Sequence, residues 1–219
     1  RGGRPYRLLF RGWLGRAADR AGVGWASSSP LPVHAAAVAA AVGGASLVRG
    51  DLCDEAIWLA GLVHELVPHD AEVAGLLALL LFSDSRRSAR IAPDGSPVLL
   101  ADQDRSRWDR EKISRGLATL ATAFAERTAG PYQLQAAVAA LHSTANSVDE
   151  TPWDRIVPLY DVMSGWSDDA VTALNRAAAI GHRDGPTAGL HALGQLSPRQ
   201  LTDLEDYPYF YVTNAEFLA

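Results

Sequence analysis

The sequence has one cysteine, Cys53, so no intrachain disulfide can form. That fits a reducing compartment, and the expected location is the cytoplasm. A lone thiol acts as a nucleophile only where its surroundings favour the thiolate. Within an amphipathic helical stretch, Cys53 reads as a small buried hydrophobe. Long apolar runs are also missing. A membrane helix needs roughly 18 apolar residues or more. The longest candidate, Val73 to Phe82, is about half of that. The first ten residues have no apolar core followed by a small-residue cleavage site, so no secretory signal is read there. No membrane partner is expected. Basic charge is not in excess either: 20 Lys and Arg stand against 25 Asp and Glu, a net charge of -5. A domain that grips nucleic acid with its own surface usually carries a basic balance. Finally, there is no nucleophile elbow, phosphate loop or dinucleotide fingerprint. No catalytic residue and no cofactor is expected.

What is present suits a globular helical protein. Hydrophobic residues make up 48% and charged residues 21% of the 219, which is enough chain to bury a sizeable core. The composition changes near residue 45. Residues 1–45 carry Arg1, Arg4, Arg7, Arg11, Arg16 and Arg20 against Asp19, among many Gly, Ala and Ser. They read either as a basic arm for phosphates or an acidic partner, or as a poorly ordered leader. Residues 46–219 read as one helical domain.

From Asp51, apolar residues Leu52, Ala56, Leu59, Ala60, Val63 and Leu66 recur at helical spacing, and Pro68 ends the run. Asp70 caps a second helix through Val73, Leu76, Leu77, Leu80 and Leu81, and the short link makes an antiparallel hairpin. Arg90 to Leu100, with the turn signal Pro93-Asp94-Gly95, predicts a small β-hairpin or an extended loop. A long helix is then expected from Asp104 to about Arg127, with Trp108, Ile113, Leu117, Leu120 and Phe124 on its apolar face. Gly130-Pro131 breaks it and starts the next helix, through Leu141. Thr151 is expected to cap a helix over Trp153 to Met163. Shorter helices follow from Ala170, Thr187, Arg199 and Pro208.

Val171 to Leu196 holds two short helical stretches, a Gly-Pro joint, and the small residues Ala177, Ala178 and Gly189 at the crossing. This is a tetratricopeptide-like hairpin, the kind of unit that stacks to bury a shared core and present a face to partners. The expected fold is therefore all-α: helical hairpins packed as a short solenoid or as an irregular bundle.

Four stretches carry a family resemblance: D-L-C-D-E-A-I-W-L-A at Asp51 to Ala60, A-D-Q-D-R-S-R-W-D-R at Ala101 to Arg110, G-P-Y-Q-L-Q-A-A-V-A-A-L-H at Gly130 to His142, and N-R-A-A-A-I at Asn175 to Ile180. From about Ala45 to Ala219 the chain resembles the C-terminal half of extracytoplasmic-function RNA polymerase sigma factors that carry a tetratricopeptide-like extension. The resemblance implies a regulatory domain that contacts the sigma DNA-binding modules or RNA polymerase. DNA would be reached only through modules that residues 1–45 do not resemble. That Arg-, Gly-, Ala- and Pro-rich stretch looks like a shifted reading frame of a GC-rich gene or a truncation, and the chain stops at Ala219, where relatives would continue into another repeat. The alternatives are a free-standing tetratricopeptide-like adaptor with an unrelated partner and, more remotely, a metal-dependent hydrolase.

The candidate partner-binding or structural cluster is Asp102, Gln103, Asp104, Arg105, Arg107, Trp108, Asp109 and Arg110. Asp104 is expected to cap the long helix, Asp109 to pair with Arg105 four residues away, and Trp108 to face the core. Arg105 and Arg107 read either as holders of acidic groups on a partner or as members of an ion-pair network that pins the loop to the helix. As a metal site the three aspartates suffer from interleaved arginines, which compete with a hard cation. His64 and His69 lie five apart, not at the four-residue spacing of a helical zinc pair. No metal ligand is assigned. The terminal aromatics Tyr207, Tyr209, Phe210 and Tyr211 read as closing the last helix pair or covering a further repeat.

Overall fold

A computed structural model describes residues 50–96, 98–126 and 129–219. The expected leader, 1–45, lies outside the described residues. Nine α-helices are formed among the described residues, with no strand. The fold is all-α and built from helical hairpins. The described chain gathers into two compact units, 50–151 and Pro152–Ala219.

In the first unit, α1 (Gly50–Leu66) and α2 (Ala71–Ser85) form the expected hairpin. Asp70 caps α2, its Oδ1 accepting from the amides of Glu72 and Val73 at 2.9 and 3.0 Å. Two further helices, α3 (Arg110–Ala125) and α4 (Pro131–Thr144), pack on α2 as well. That explains its sequence: a helix that is apolar nearly all round is one buried on several sides. Ala74, Ala78, Leu81 and Phe82 are all at most 2% exposed. Close approach needs small residues. A Cβ on Gly75 would lie 2.7 Å from the Gln133 amide of α4, and one on Gly116 of α3 would meet the Phe82 ring.

The segment 90–100 turns where expected but makes no sheet. Val98 donates to the Arg90 carbonyl and Ala92 to that of Ser96, while Gly95 takes φ +87°. It is the extended surface loop of the two expected forms.

The long helix expected from Asp104 begins instead at Arg110. Residues Arg105–Arg107 make a separate 3-10 turn, and Trp108 leaves helical geometry at ψ 137°. Asp104 caps that turn, and Asp109 is the true α3 cap, accepting from Lys112 N at 3.0 Å. The break is held by tertiary bonds: Asp109 N donates to Ser85 O of α2 at 2.8 Å, and Ser88 Oγ to Arg107 O at 2.6 Å.

In the second unit, α5 (Trp153–Trp166), α7 (Pro186–Leu193), α8 (Pro198–Asp203) and α9 (Pro208–Leu218) all pack against α6 (Ala170–Asp184). Its core is Leu174, Ala177, Leu193, Leu204 and Phe217. Thr151 does not cap α5; its hydroxyl donates back to Ser147 O at 3.0 Å. Asp169 caps α6, and Ser197 with Gln200 forms a reciprocal capping box on α8. Gly185, at φ +100°, makes the joint between α6 and α7. The crossing is closer than Ala177, Ala178 and Gly189 alone suggest: a Cβ on Gly189 would lie 2.9 Å from Gly181 Cα and 2.5 Å from Phe217.

Candidate docking surface

Each residue of the expected cluster lies around the junction between α2, the 105–107 turn and the start of α3. Asp102 ends a 3-10 turn over Leu100–Asp102 and is exposed. Gln103 is buried and donates from Nε2 to Val98 O at 3.1 Å, which ties the surface loop down. Asp104 Oδ1 accepts from the Ser106 amide and hydroxyl at 2.9 and 2.6 Å, and these bonds hold its carboxyl below its usual range.

Arg105 does not pair with Asp109, because the two do not share a helix. Its Nη1 instead donates to His142 O and Ala145 O at 2.7 and 2.9 Å. It thereby satisfies carbonyls at the C-terminal end of α4, where a cation is favoured by the helix dipole. The guanidinium lies over the Trp108 ring, 4.6 Å from its centroid. Trp108 is 3% exposed and anchors the turn in the core, as its sequence position predicts. Arg110 Nη2 donates to Arg105 O at 3.2 Å. Arg107 is exposed and holds the loop through its backbone carbonyl. Most of the cluster's charges therefore bond to backbone rather than to one another.

The ion pairs that do knit this region involve residues that sequence reasoning passed over. Asp84, with 5% of its side chain exposed, accepts from Arg87 Nε and Lys112 Nζ, each at 2.6 Å. Arg87 also reaches Asp54 of α1, donating from Nη2 to Oδ1 at 2.6 Å. One carboxylate thus ties three elements together. Its signal in the sequence is a charged residue near the end of an apolar run. Glu72 was missed for the same reason. Its oxygens accept from the Tyr132 and Gln133 amides at 2.9 and 3.0 Å, so it caps α4 from a neighbouring helix. Burial pushes its carboxyl above the usual range, with those two amides pulling the other way.

The second feature is an uncovered apolar face. Among the described elements, α1 packs only on α2. The stripe turned to the core is Cys53, Ile57 and Ala60. Burial pushes the Cys53 thiol up, which disfavours the thiolate. Leu52, Leu59, Val63 and Leu66, spaced by seven, four and three residues, form a second stripe that is 42–74% exposed. Trp58 flanks it at 64%. Periodicity alone picks out this second stripe, but α2 covers the first.

In the second unit, α5 and α6 border an open cleft of about 400 Å³ with Asp161, Asp168, Asp169, Arg176 and Gln200 on its walls. Its carboxylates are engaged: Asp161 accepts from Arg176 Nε at 2.6 Å, Asp168 from Gln200 Nε2 at 2.8 Å, and Asp169 from Thr172 N at 2.7 Å. His182 stacks on Trp153 at 4.4 Å. Among the described residues no group of three His, Cys, Asp or Glu side chains is placed to hold a metal, and no helix is long and apolar enough to cross a membrane.

Residues 39–124 match a family of unknown function, DUF6596. That stretch contains α1, α2 and nearly all of α3, and with them the junction and the apolar face. The chain is also similar to an uncharacterized protein of Rhizobium meliloti (strain 1021), at 43% identity over 171 residues. The match takes in 78% of this chain and 40% of the relative, so the chain spans well under half the relative's length. No solved structure matches the chain.

Proposed function

We propose that this chain is the C-terminal regulatory and protein-interaction part of a sigma-factor-like transcription initiation protein. It acts by contact with the sigma DNA-binding modules or with RNA polymerase, in the cytoplasm and without catalysis. The observation that carries the reading is the uncovered stripe of α1. Four aliphatic side chains and Trp58 stand in water on a helix that opens the described chain. Exposed apolar stripes of this kind mark contact sites, and the matching mode is a second helix laid along the first. The occupant is an apolar helical face of the sigma modules. The curated relative extends well beyond the match, which leaves room for such modules in a longer protein. Asp54 of α1 pairs with Arg87, which also pairs with Asp84 of α2, so α1 is linked to the neighbouring junction.

The test is binding of the purified chain to separately supplied sigma modules, followed by Trp58 fluorescence and calorimetry. Trp58→Glu should weaken binding at least tenfold, about 1.4 kcal/mol, while the thermal melt stays near that of the wild type. Equal binding by that variant would sink the reading. Binding to an unrelated protein, with no effect on promoter-directed transcription, would favour the adaptor alternative.

A further inference from the structure

The exposed stripe of α1 carries charge of one sign. Leu62, 41% exposed, lies between Trp58 and Leu66 and widens the stripe. Glu55 stands three residues before Trp58 and four before Leu59, so it projects from within the same surface. Glu65 follows Leu62 by three residues and Trp58 by seven, along the Trp58 side of the stripe. Both glutamates are exposed, and among the described residues neither makes an ion pair. Nor can α1 supply a cation of its own to them, since it contains no Lys or Arg. Arg87, which does reach α1, is engaged by Asp54 and Asp84.

Any occupant that covers the stripe takes Glu55 out of water. A buried carboxylate without a partner is costly, so the occupant must bring a cation to that position. A second copy of the chain does not do so through this face. Its α1 offers the same glutamates, and laying two such stripes together sets like charges side by side. An anionic lipid surface is repelled for the same reason. Length sets a further condition. Leu52 to Leu66 is about 21 Å of helix, so a matching helix is itself about four turns long.

We propose that the α1 stripe is a docking site for a cationic amphipathic helix. The apolar face of that helix lies on Leu59, Val63 and Leu66, and Lys or Arg beside it pairs with Glu55 and Glu65. The glutamates thereby select the partner: they admit a basic helix and disfavour an acidic or uncharged one, which would leave Glu55 buried alone. The inference rests on reading the stripe as a docking face and adds the charge of the partner; it does not require that partner to be a sigma module.

The experiment uses the full chain and three dye-labelled synthetic helical peptides of about 15 residues. The peptides share one leucine face and differ only beside it, where they carry lysine, glutamine or glutamate. Binding is followed by fluorescence anisotropy and calorimetry at low and high salt. The lysine peptide should bind about tenfold tighter than the glutamine peptide, with the glutamate peptide weakest, and the gap should shrink in high salt. Glu55→Gln with Glu65→Gln should bring the lysine peptide down to the level of the glutamine peptide, with the thermal melt unchanged. Glu55→Lys with Glu65→Lys should turn the preference toward the glutamate peptide. Leu59→Ser should weaken the lysine peptide by about tenfold, which places it on the stripe. Equal binding of the three peptides, or no binding of the lysine peptide, overturns the proposal. So does a preference that survives both glutamate substitutions, a dimer of the chain that Leu59→Ser dissolves, or binding to zwitterionic vesicles in place of the lysine peptide. The two readings fail separately. Sigma modules that bind equally well to the Glu55→Gln, Glu65→Gln chain sink the charge requirement alone, whereas selective binding of the lysine peptide with no binding of sigma modules sinks the sigma reading alone.

Discussion

Replacing Asp84 with alanine tests the account of how the first unit is held together. The carboxylate is nearly buried and accepts from two cations at 2.6 Å each. Removing one partner of a buried pair costs about 3–5 kcal/mol when the other charge is left stranded. Neither cation is stranded here. Arg87 keeps Asp54, Lys112 keeps Asp109 at 3.7 Å, and their side chains are 28% and 27% exposed. Solvent screening therefore discounts the loss to roughly 2–3 kcal/mol. For a urea slope near 2 kcal/mol/M, the midpoint falls by about 1 M or somewhat more. Asp54→Ala removes a partner whose side chain is 64% exposed, and it should cost only about 0–1 kcal/mol. Salt sharpens the contrast, because screening weakens the exposed pair far more than the buried one. The assay is equilibrium urea unfolding followed by circular dichroism and tryptophan fluorescence, at low and high salt. If Asp84→Ala lies within about 0.5 kcal/mol of the wild type, or matches Asp54→Ala, the carboxylate is not the tie described here.

Three further outcomes are expected. Trp108→Ala should cost about 3–5 kcal/mol, since the ring is 3% exposed and supports Arg105; a loss well below 1 kcal/mol contradicts that placement. Glu72 is held above its ordinary range in the fold, so the stability it contributes is present below its unfolded value and is lost as pH rises through the folded one. Glu72→Gln lacks this loss, so its stability relative to the wild type should climb with pH across that window; a falling difference in urea midpoints would refute the sign. Gly189→Ala should cost about 1–3 kcal/mol by forcing a methyl against Phe217 and the Gly181 backbone, and Phe217→Ala in the same chain should recover part of it; additive losses would separate the two sites.

The legible parts of this fold are those whose causes are local. Asp70 caps its helix because its side chain reaches amides two and three residues on, which sequence spacing alone reveals. Pro131 starts a helix and Gly185 separates two, again through the backbone of one or two residues. The apolar run from Val73 to Phe82 announces a buried helix, and the burial of Trp108 was legible from its alignment with Ile113, Leu117, Leu120 and Phe124, although charges flank it on both sides. The candidate cluster was legible as a dense patch of charge, but not in what its charges hold.

The amino-acid sequence by itself determined an all-helical chain, the order of its helices and most of their starts, because caps, prolines and periodicity act over a few residues. Only the tertiary structure decided the rest. It broke the helix expected from Asp104, since Ser85 O and the α4 carbonyls offered the turn better partners than another helical turn would. It chose which stripe of α1 to cover, a matter of where α2 lies rather than of pattern. It also placed Asp84 and Glu72 as buried ties between helices. Each of these depends on groups that are distant in sequence and meet only once the chain has packed.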